Sequence, residues 1–201
     1  MGYRVEAIWQ PFRNSRYAGG RIMSARKSNL ERIDWAIFKL DIKPDERVLE
    51  IGYGPGIALG KMMTHLTTGM IWGTDRSKLM FRQAGKRNVT WIKTGRMKLF
   101  LGSVASLPVP DFPFDKALDI NSFQFWERPV ESLIHLRKAL KSGAMVELVH
   151  QPRNPGATDQ DAREAGEKFS SVLRAAGFLN VVVDINVMKP VAAVCIQGYN
   201  P

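Results

Sequence analysis

Arg47-Val48-Leu49-Glu50-Ile51-Gly52-Tyr53-Gly54-Pro55-Gly56-Ile57-Ala58-Leu59 reads as an apolar strand, a turn on three alternating glycines and the start of a helix. Glycine at every second position lets the backbone bend sharply and approach a ligand with no Cβ in the way. Glu50 stands at the end of the strand, and the helix that follows presents free backbone N–H groups at its first turn. A tight strand–helix turn calls for glycine with or without a ligand, so the turn alone does not define a site. The next segment adds to it. Gly69-Met70-Ile71-Trp72-Gly73-Thr74-Asp75 reads as a second strand ending in an acid. Asp75 lies about 20 positions beyond the glycines, the distance at which a carboxylate at the tip of a second strand reaches ribose hydroxyls.

The spacing Gly-x-Gly-x-Gly is not that of a dinucleotide fingerprint, whose third glycine would fall at Ile57. Nor does that fingerprint carry an acid at the position of Glu50. The turn resembles motif I of the class I S-adenosylmethionine-dependent methyltransferases, Glu-x-Gly-x-Gly-x-Gly, with Ala58 standing where a further glycine would fall. The resemblance runs from about Arg47 to the C-terminus: Leu107-Pro108, Phe114-Asp115, Asn121 and Lys141-Ser142-Gly143 recur at the family's spacing. It looks most like the small-molecule branch that includes the ubiquinone-biosynthesis methyltransferases (methyltransferase type 11). The resemblance implies an α/β fold with a Rossmann-like, mostly parallel sheet of seven strands in the order 3-2-1-4-5-7-6, the last strand antiparallel, with helices on both faces. It also implies S-adenosyl-L-methionine as cofactor and a small molecule as methyl acceptor.

The chain's 201 residues suit one domain with a real core. No apolar run reaches the roughly 18 residues that span a bilayer, and Met1–Glu6 lacks the apolar stretch of a signal peptide. The single cysteine, Cys195, cannot form an internal disulfide and sits in an apolar strand. A cytoplasmic protein with a core cysteine is expected. The formal net charge of +10 is unevenly spread: Arg76 to Lys98 holds eight Lys or Arg and no acid. That stretch is either a solvated basic helix or a surface that attracts anions, including weak, non-specific contact with nucleic acid.

Residues 1–45 read as an N-terminal lid segment followed by a helix, and 46–201 as the methyltransferase core of one overall domain. The first 23 residues hold aromatics among arginines, with Gly19-Gly20 as a hinge, so residues of about 9–30 are expected to fold over the cofactor with Trp9, Phe12 or Tyr17 near the acceptor, or else to pack as a strap on the sheet's outer helices. Leu30, Ile33, Ile37 and Leu40 have helical spacing. Strands are then expected at 48–51, 70–74, 97–101, 116–120, 144–149, 181–187 and 191–197. Helices are expected at 57–66, 77–92, 130–140 and 162–176. Such alternation gives a mostly parallel sheet with helices on both faces.

Ligands in these sheets bind beyond the carboxyl ends of the strands, where the strand order reverses. The resemblance therefore gives Glu50, Gly52, Gly54 and Gly56 to the methionine part of the cofactor, and Asp75 with Arg76 to the ribose region. Asp75 as a plain helix cap before Ser77 is the alternative. Gly102, Ser103 and Val104 fall to the adenine end, with Ser103 where the family usually has an acid. Asn121 is implied beside the methionine moiety, and Phe123, Phe125 and Trp126 either wall an acceptor pocket or pack the core. His150, directly after the fifth strand, is the candidate general base, or else a solvated loop residue. His65 and His135 fall within helices and read as structural. No Cys/His cluster has metal-ligand spacing.

Two other classes compete. A nucleic-acid methyltransferase would use the basic surface, yet Asp119-Ile120-Asn121-Ser122 is not the Asn/Asp-Pro-Pro-Tyr/Phe motif of many amino-directed enzymes, and one cysteine excludes a paired-cysteine mechanism. A non-catalytic cofactor-binding module also fits, since methyl transfer requires no diagnostic side chain. A nicotinamide reductase is disfavoured by the glycine spacing. The acceptor, the methylated atom and the oligomeric state are not encoded in these motifs.

Overall fold

A computed structural model describes residues 27–108 and 110–201. Seven strands form one sheet in the order β3-β2-β1-β4-β5-β7-β6, as the resemblance implies. They are β1 (Arg47–Ile51), β2 (Met70–Asp75), β3 (Met97–Leu101), β4 (Phe114–Ile120), β5 (Leu140–His150), β6 (Leu179–Asn186) and β7 (Ala193–Tyr199). The pairs β3–β2, β2–β1, β1–β4 and β4–β5 are parallel, while β7 runs antiparallel to both β5 and β6. The helices are α1 (Lys27–Leu40), α2 (Ile57–Met63), α3 (Lys78–Arg87), α4 (Val89–Lys93), α5 (Pro129–Arg137) and α6 (Asp159–Ala175).

Successive strand residues point to opposite faces, and this sheet has a core on each. Val48, Ile71, Leu118, Met145, Val149 and Cys195 point to one face, under α1 and α2. Leu49, Trp72, Ala117, Val146, Leu148 and Ile196 point to the other, under α5 and α6. Near-continuous apolar strands are what a sheet covered on both sides requires. Among the described residues no helix is long and apolar enough to cross a membrane.

Several boundaries shift by two or three residues, and three departures are informative. The helix expected over 77–92 is two helices, broken at Asn88. There the side-chain amide donates to the carbonyls of Gly56 (2.9 Å) and Ala84 (3.1 Å), tying the α3–α4 junction to the glycine turn. Strand β5 begins at Leu140 rather than 144, because Leu140 pairs with Phe114 ahead of a register shift between Phe114 and Lys116. His65 lies exposed in the turn after α2 rather than within it, whereas His135 is helical.

Helix α1 sets the direction of the N-terminal segment. Its last turn sits at the amino-terminal edge of the sheet, where the Lys116 ammonium at the start of β4 donates to the carbonyls of Leu40 (2.7 Å) and Asp41 (2.5 Å). Its first turns reach the carboxyl edge, where Arg32 donates to Gln151, one residue past β5. Of the lid expected over about residues 9–30, the part up to residue 26, with Trp9, Phe12 and Tyr17, lies outside the described residues, and residues 27–30 open helix α1.

Candidate functional site

The glycine turn closes the carboxyl end of β1. Gly52, Gly54 and Gly56 have φ of +71°, +52° and +76°, a region other residues enter at a cost. The glycines have different tasks. A Cβ at Gly52 would fall 2.1 Å from Ser122 Oγ, so this glycine lets the turn pack on the β4 loop. A Cβ at Gly54 would meet nothing within 4 Å, so the turn is open at its tip.

Asp75 joins this turn to the next. Its Oδ2 accepts from the Gly54 backbone N–H and its Oδ1 from that of Ser77, both at 2.8 Å. The N-cap of α3 is Ser77, whose hydroxyl accepts from Met80 N. Asp75 is thus the brace between the glycine turn and the β2–α3 turn, with unused lone pairs on each oxygen. Arg76 is exposed, and its guanidinium pairs with Glu127 at 2.9 Å.

Three carboxyl groups end adjacent strands here: Asp75 on β2, Glu50 on β1 and Asp119 on β4. Glu50 is 3% exposed and its Oε2 has no hydrogen-bond partner. Burial, then Asp119 and Asp75, holds its pKa well above the carboxylate range, against the smaller pull of the Leu59 backbone N–H. Burial also raises Asp75 and lifts Asp119 to about 6, although Asp119 accepts from Ser122 and Phe123. Like charges without a cation between them favour protonation.

Beyond β3, Gly102 N donates to the Asp75 carbonyl (2.9 Å) and Thr74 Oγ1 to the Gly102 carbonyl (2.9 Å), which fixes the loop after β3 against β2. The Ser103 backbone is held by Ser106 Oγ on both its N–H and its carbonyl. Val104 is buried in the core.

Asn121, at φ +56°, exchanges two hydrogen bonds with the backbone of Gln151: Nδ2 donates to its carbonyl (2.8 Å) and Oδ1 accepts from its N–H (2.9 Å). Its side chain clamps the ends of β4 and β5 together. Phe123 is buried between Trp126 and Phe169, with ring centroids 4.9 and 4.8 Å away, and Trp126 is buried too. Phe125 is exposed. His150 ends β5 rather than lying in a loop. Its ring packs on Phe169, its Nδ1 is buried without a partner, and burial followed by Arg32 and Arg153 lowers its pKa to about 4. It is neutral at pH 7.

Sequence reading did not single out Arg32, Gln151 and Asn29. Arg32 and Asn29 lie three apart on the buried side of α1 with Ala36, a polar pair within an apolar stripe. That placement was the available signal. A hollow of about 400 Å³ lies at the opposite, amino-terminal edge, where Lys116 pairs with Glu46 (3.2 Å) and Lys141 with Asp115. Its charges neutralise one another, and it is remote from the glycine turn. Among the described residues no group of three or more His, Cys, Asp or Glu side chains is placed to hold a metal ion.

Comparison with known proteins agrees with this geometry. A family model described as a methyltransferase domain matches residues 48–143. The chain is 28% identical over 182 residues to the uncharacterized methyltransferase YdaC of Bacillus subtilis (strain 168), covering 90% of this chain and 97% of YdaC. Among solved structures, the N-methyltransferase NodS of Bradyrhizobium japonicum WM9, in complex with S-adenosyl-L-homocysteine, superposes with a TM-score of 0.70 at 15% identity, over 90% of this chain and 91% of NodS. The [4+2]-cyclase SpnF gives 0.68 at 16% identity, over 85% and 81%.

Proposed function

We propose, on the premise that the chain belongs to the class I S-adenosylmethionine-dependent methyltransferases, that it methylates a small molecule held over the carboxyl ends of β1, β4 and β5. The observation that carries this reading is the set of carboxyl groups of Glu50, Asp75 and Asp119 beside a glycine turn open at Gly54. A cationic ligand with an ammonium, a sulfonium and a ribose matches that set, and S-adenosyl-L-methionine is such a ligand. When bound, it supplies an electrophilic methyl group.

The residues present fit it. Glu50 has a buried carboxyl oxygen without a partner, and Gly52, Gly54 and Gly56 give backbone access to the methionine part. Asp75 keeps acceptor capacity for the ribose diol, with Arg76 at the rim. Gly102, Ser103 and Val104 border the adenine end, where Ser103 replaces the usual acid. Asn121 positions the loop beside the methionine moiety. The protein's main task is to align donor and acceptor within about 3–3.5 Å and to exclude water. His150, neutral at pH 7 and packed on Phe169, remains the candidate to take a proton from the acceptor. Its pKa of about 4 makes it a weak base, suited to an acceptor that loses its proton easily.

Fold alone does not fix the reaction, and SpnF, a cyclase, has this fold. The basic stretch offers a second surface. Arg76, Arg87 and Arg96 are engaged by Glu127, the Pro55 carbonyl and the carbonyls of Leu66 and Gly69, while Lys78, Arg82, Lys86 and Lys93 stand exposed. We assign it weak, salt-sensitive anion binding. Incubation with methyl-labelled S-adenosylmethionine and either a panel of small acceptors or total RNA tests the reading. Label is expected in a small molecule; site-specific incorporation into RNA would replace this reading with the nucleic-acid one.

A further inference from the structure

The carboxyl edge of the sheet is electrically divided. Over β2, β1 and β4 stand the carboxyl groups of Asp75, Glu50 and Asp119; over β5 stand two guanidiniums and a histidine. Arg32, on α1, is 4% exposed. Its Nη1 donates to Gln151 Oε1 (2.7 Å), its Nη2 to Asn29 Oδ1 (3.0 Å), and its Nε, also buried, has no partner. Both acceptors are neutral amides, and no carboxylate of the described residues pairs with Arg32. The amide of Asn29 is shared, since Arg153 donates to the same oxygen. A buried cation is normally paired. Here burial and the neighbouring Arg153 lower the guanidinium's pKa to about 9, as for a charge whose counter-ion comes from elsewhere.

The surroundings suggest where from. Gln151, which holds Arg32, is the residue whose backbone Asn121 clamps at the end of β4. The His150 imidazole, one residue away, feels both guanidiniums and has an unpartnered Nδ1. Gln124, whose Nε2 donates to the Asn121 carbonyl, has a buried Oε1 without a partner. Unpaired buried polar atoms are rare in folded proteins, and these three belong to residues bonded to, or next in sequence to, the Asn121–Gln151 clamp. An Arg fork with a free Nε–H is suited to a carboxylate or phosphate.

We propose that the methyl acceptor carries an oxyanion, a carboxylate or a phosphate ester, and that Arg32 binds it at the end of β5. The proposal rests on the methyltransferase reading of this edge. It gives the site two electrostatic halves, one for a cationic cofactor and one for an anionic acceptor. The side chains of Asn29 and Gln151 hold the guanidinium fork in place, and Arg153 adds to the positive potential.

The test uses the full chain and begins with S-adenosyl-L-homocysteine. Wild type and Arg32→Gln are expected to bind it with equal affinity, because Arg32 belongs to the acceptor half. If neither binds it, the methyltransferase reading fails, and with it this one. The loaded proteins are then titrated with inorganic phosphate and, separately, with acetate at constant ionic strength, following arginine Nε–H resonances by NMR. One resonance of the wild type should move saturably, and R32Q should lack it and bind the anion at least about tenfold more weakly. The tighter of the two anions distinguishes a phosphate ester from a carboxylate. Should the wild type bind S-adenosyl-L-homocysteine yet show no saturable anion response, or should R32Q respond equally, the proposal is overturned while the methyltransferase reading stands. Arg32→Lys, which keeps the charge but loses the fork, is expected to fall between the two.

Discussion

Asp75 holds two turns together and, on the proposed reading, also receives the ribose of the cofactor. Its two oxygens already accept from Gly54 and Ser77, which fixes the carboxylate's orientation before a ribose arrives. Asp75→Ala should therefore have two effects. Loss of two hydrogen bonds to a neutral diol, about 1 kcal/mol each, weakens S-adenosylhomocysteine binding roughly tenfold or more. The stranded N–H groups of Gly54 and Ser77 lower stability by about 1–3 kcal/mol. Calorimetry and thermal unfolding separate the two; a lower Tm with unchanged affinity would leave Asp75 a brace only. The position of Asp75 was legible because an acid at the tip of the second strand has a fixed spacing from the glycines. Its bond to Gly54 was not, since which backbone N–H a carboxylate meets depends on how the turn folds. Arg32 was hidden for a different reason: a charged residue in an apolar helical stripe reads as part of the exposed face until the neighbouring loop is known.

At the scale of elements, the glycine turn separates packing from binding. Gly52→Ala places a Cβ against Ser122 at positive φ. Backbone strain of about 1–2 kcal/mol and overpacking of about 1–3 kcal/mol should both appear as lost stability. Gly54→Ala meets open space and should lose only the strain, but on the proposed reading its methyl intrudes on the cofactor, so S-adenosylhomocysteine affinity should fall out of proportion to Tm. Equal loss of stability in both variants, with Gly54→Ala binding normally, would mean that the tip of the turn faces no ligand. The strand–turn–helix frame was readable from alternation and glycine spacing. The break at Asn88 was not, because its cause is a hydrogen bond to Gly56, 32 residues away in sequence. The early start of β5 has the same kind of origin, a pairing with Phe114 across a register shift.

Over the whole molecule, one buried acid unconnected with the site sets a pH dependence. Glu147, fully buried on β5, accepts from Gln197 (2.7 Å) but has a second oxygen without a partner, and burial raises its pKa from 4.5 to about 8. The folded chain holds this proton more tightly than the unfolded chain does. The stability it confers is complete below about pH 4.5 and is lost as pH rises towards 8. Glu147→Gln keeps the shape and never ionises, so its Tm should exceed that of the wild type at about pH 8 and match it near pH 4; thermal scans at the two pH values check this. An identical pH dependence in both proteins would show that Glu147 ionises in the fold without penalty. The order of the seven strands was legible through the family resemblance, while the division of the carboxyl edge into acidic and basic halves required the fold, which brings α1 to the end of β5. The central claim is that this edge holds S-adenosylmethionine, and calorimetric titration of the full chain with S-adenosyl-L-homocysteine, with NAD as the control, tests it most directly. Binding of S-adenosyl-L-homocysteine at micromolar strength or better, with none of NAD, is predicted; NAD binding without S-adenosyl-L-homocysteine binding would contradict the account.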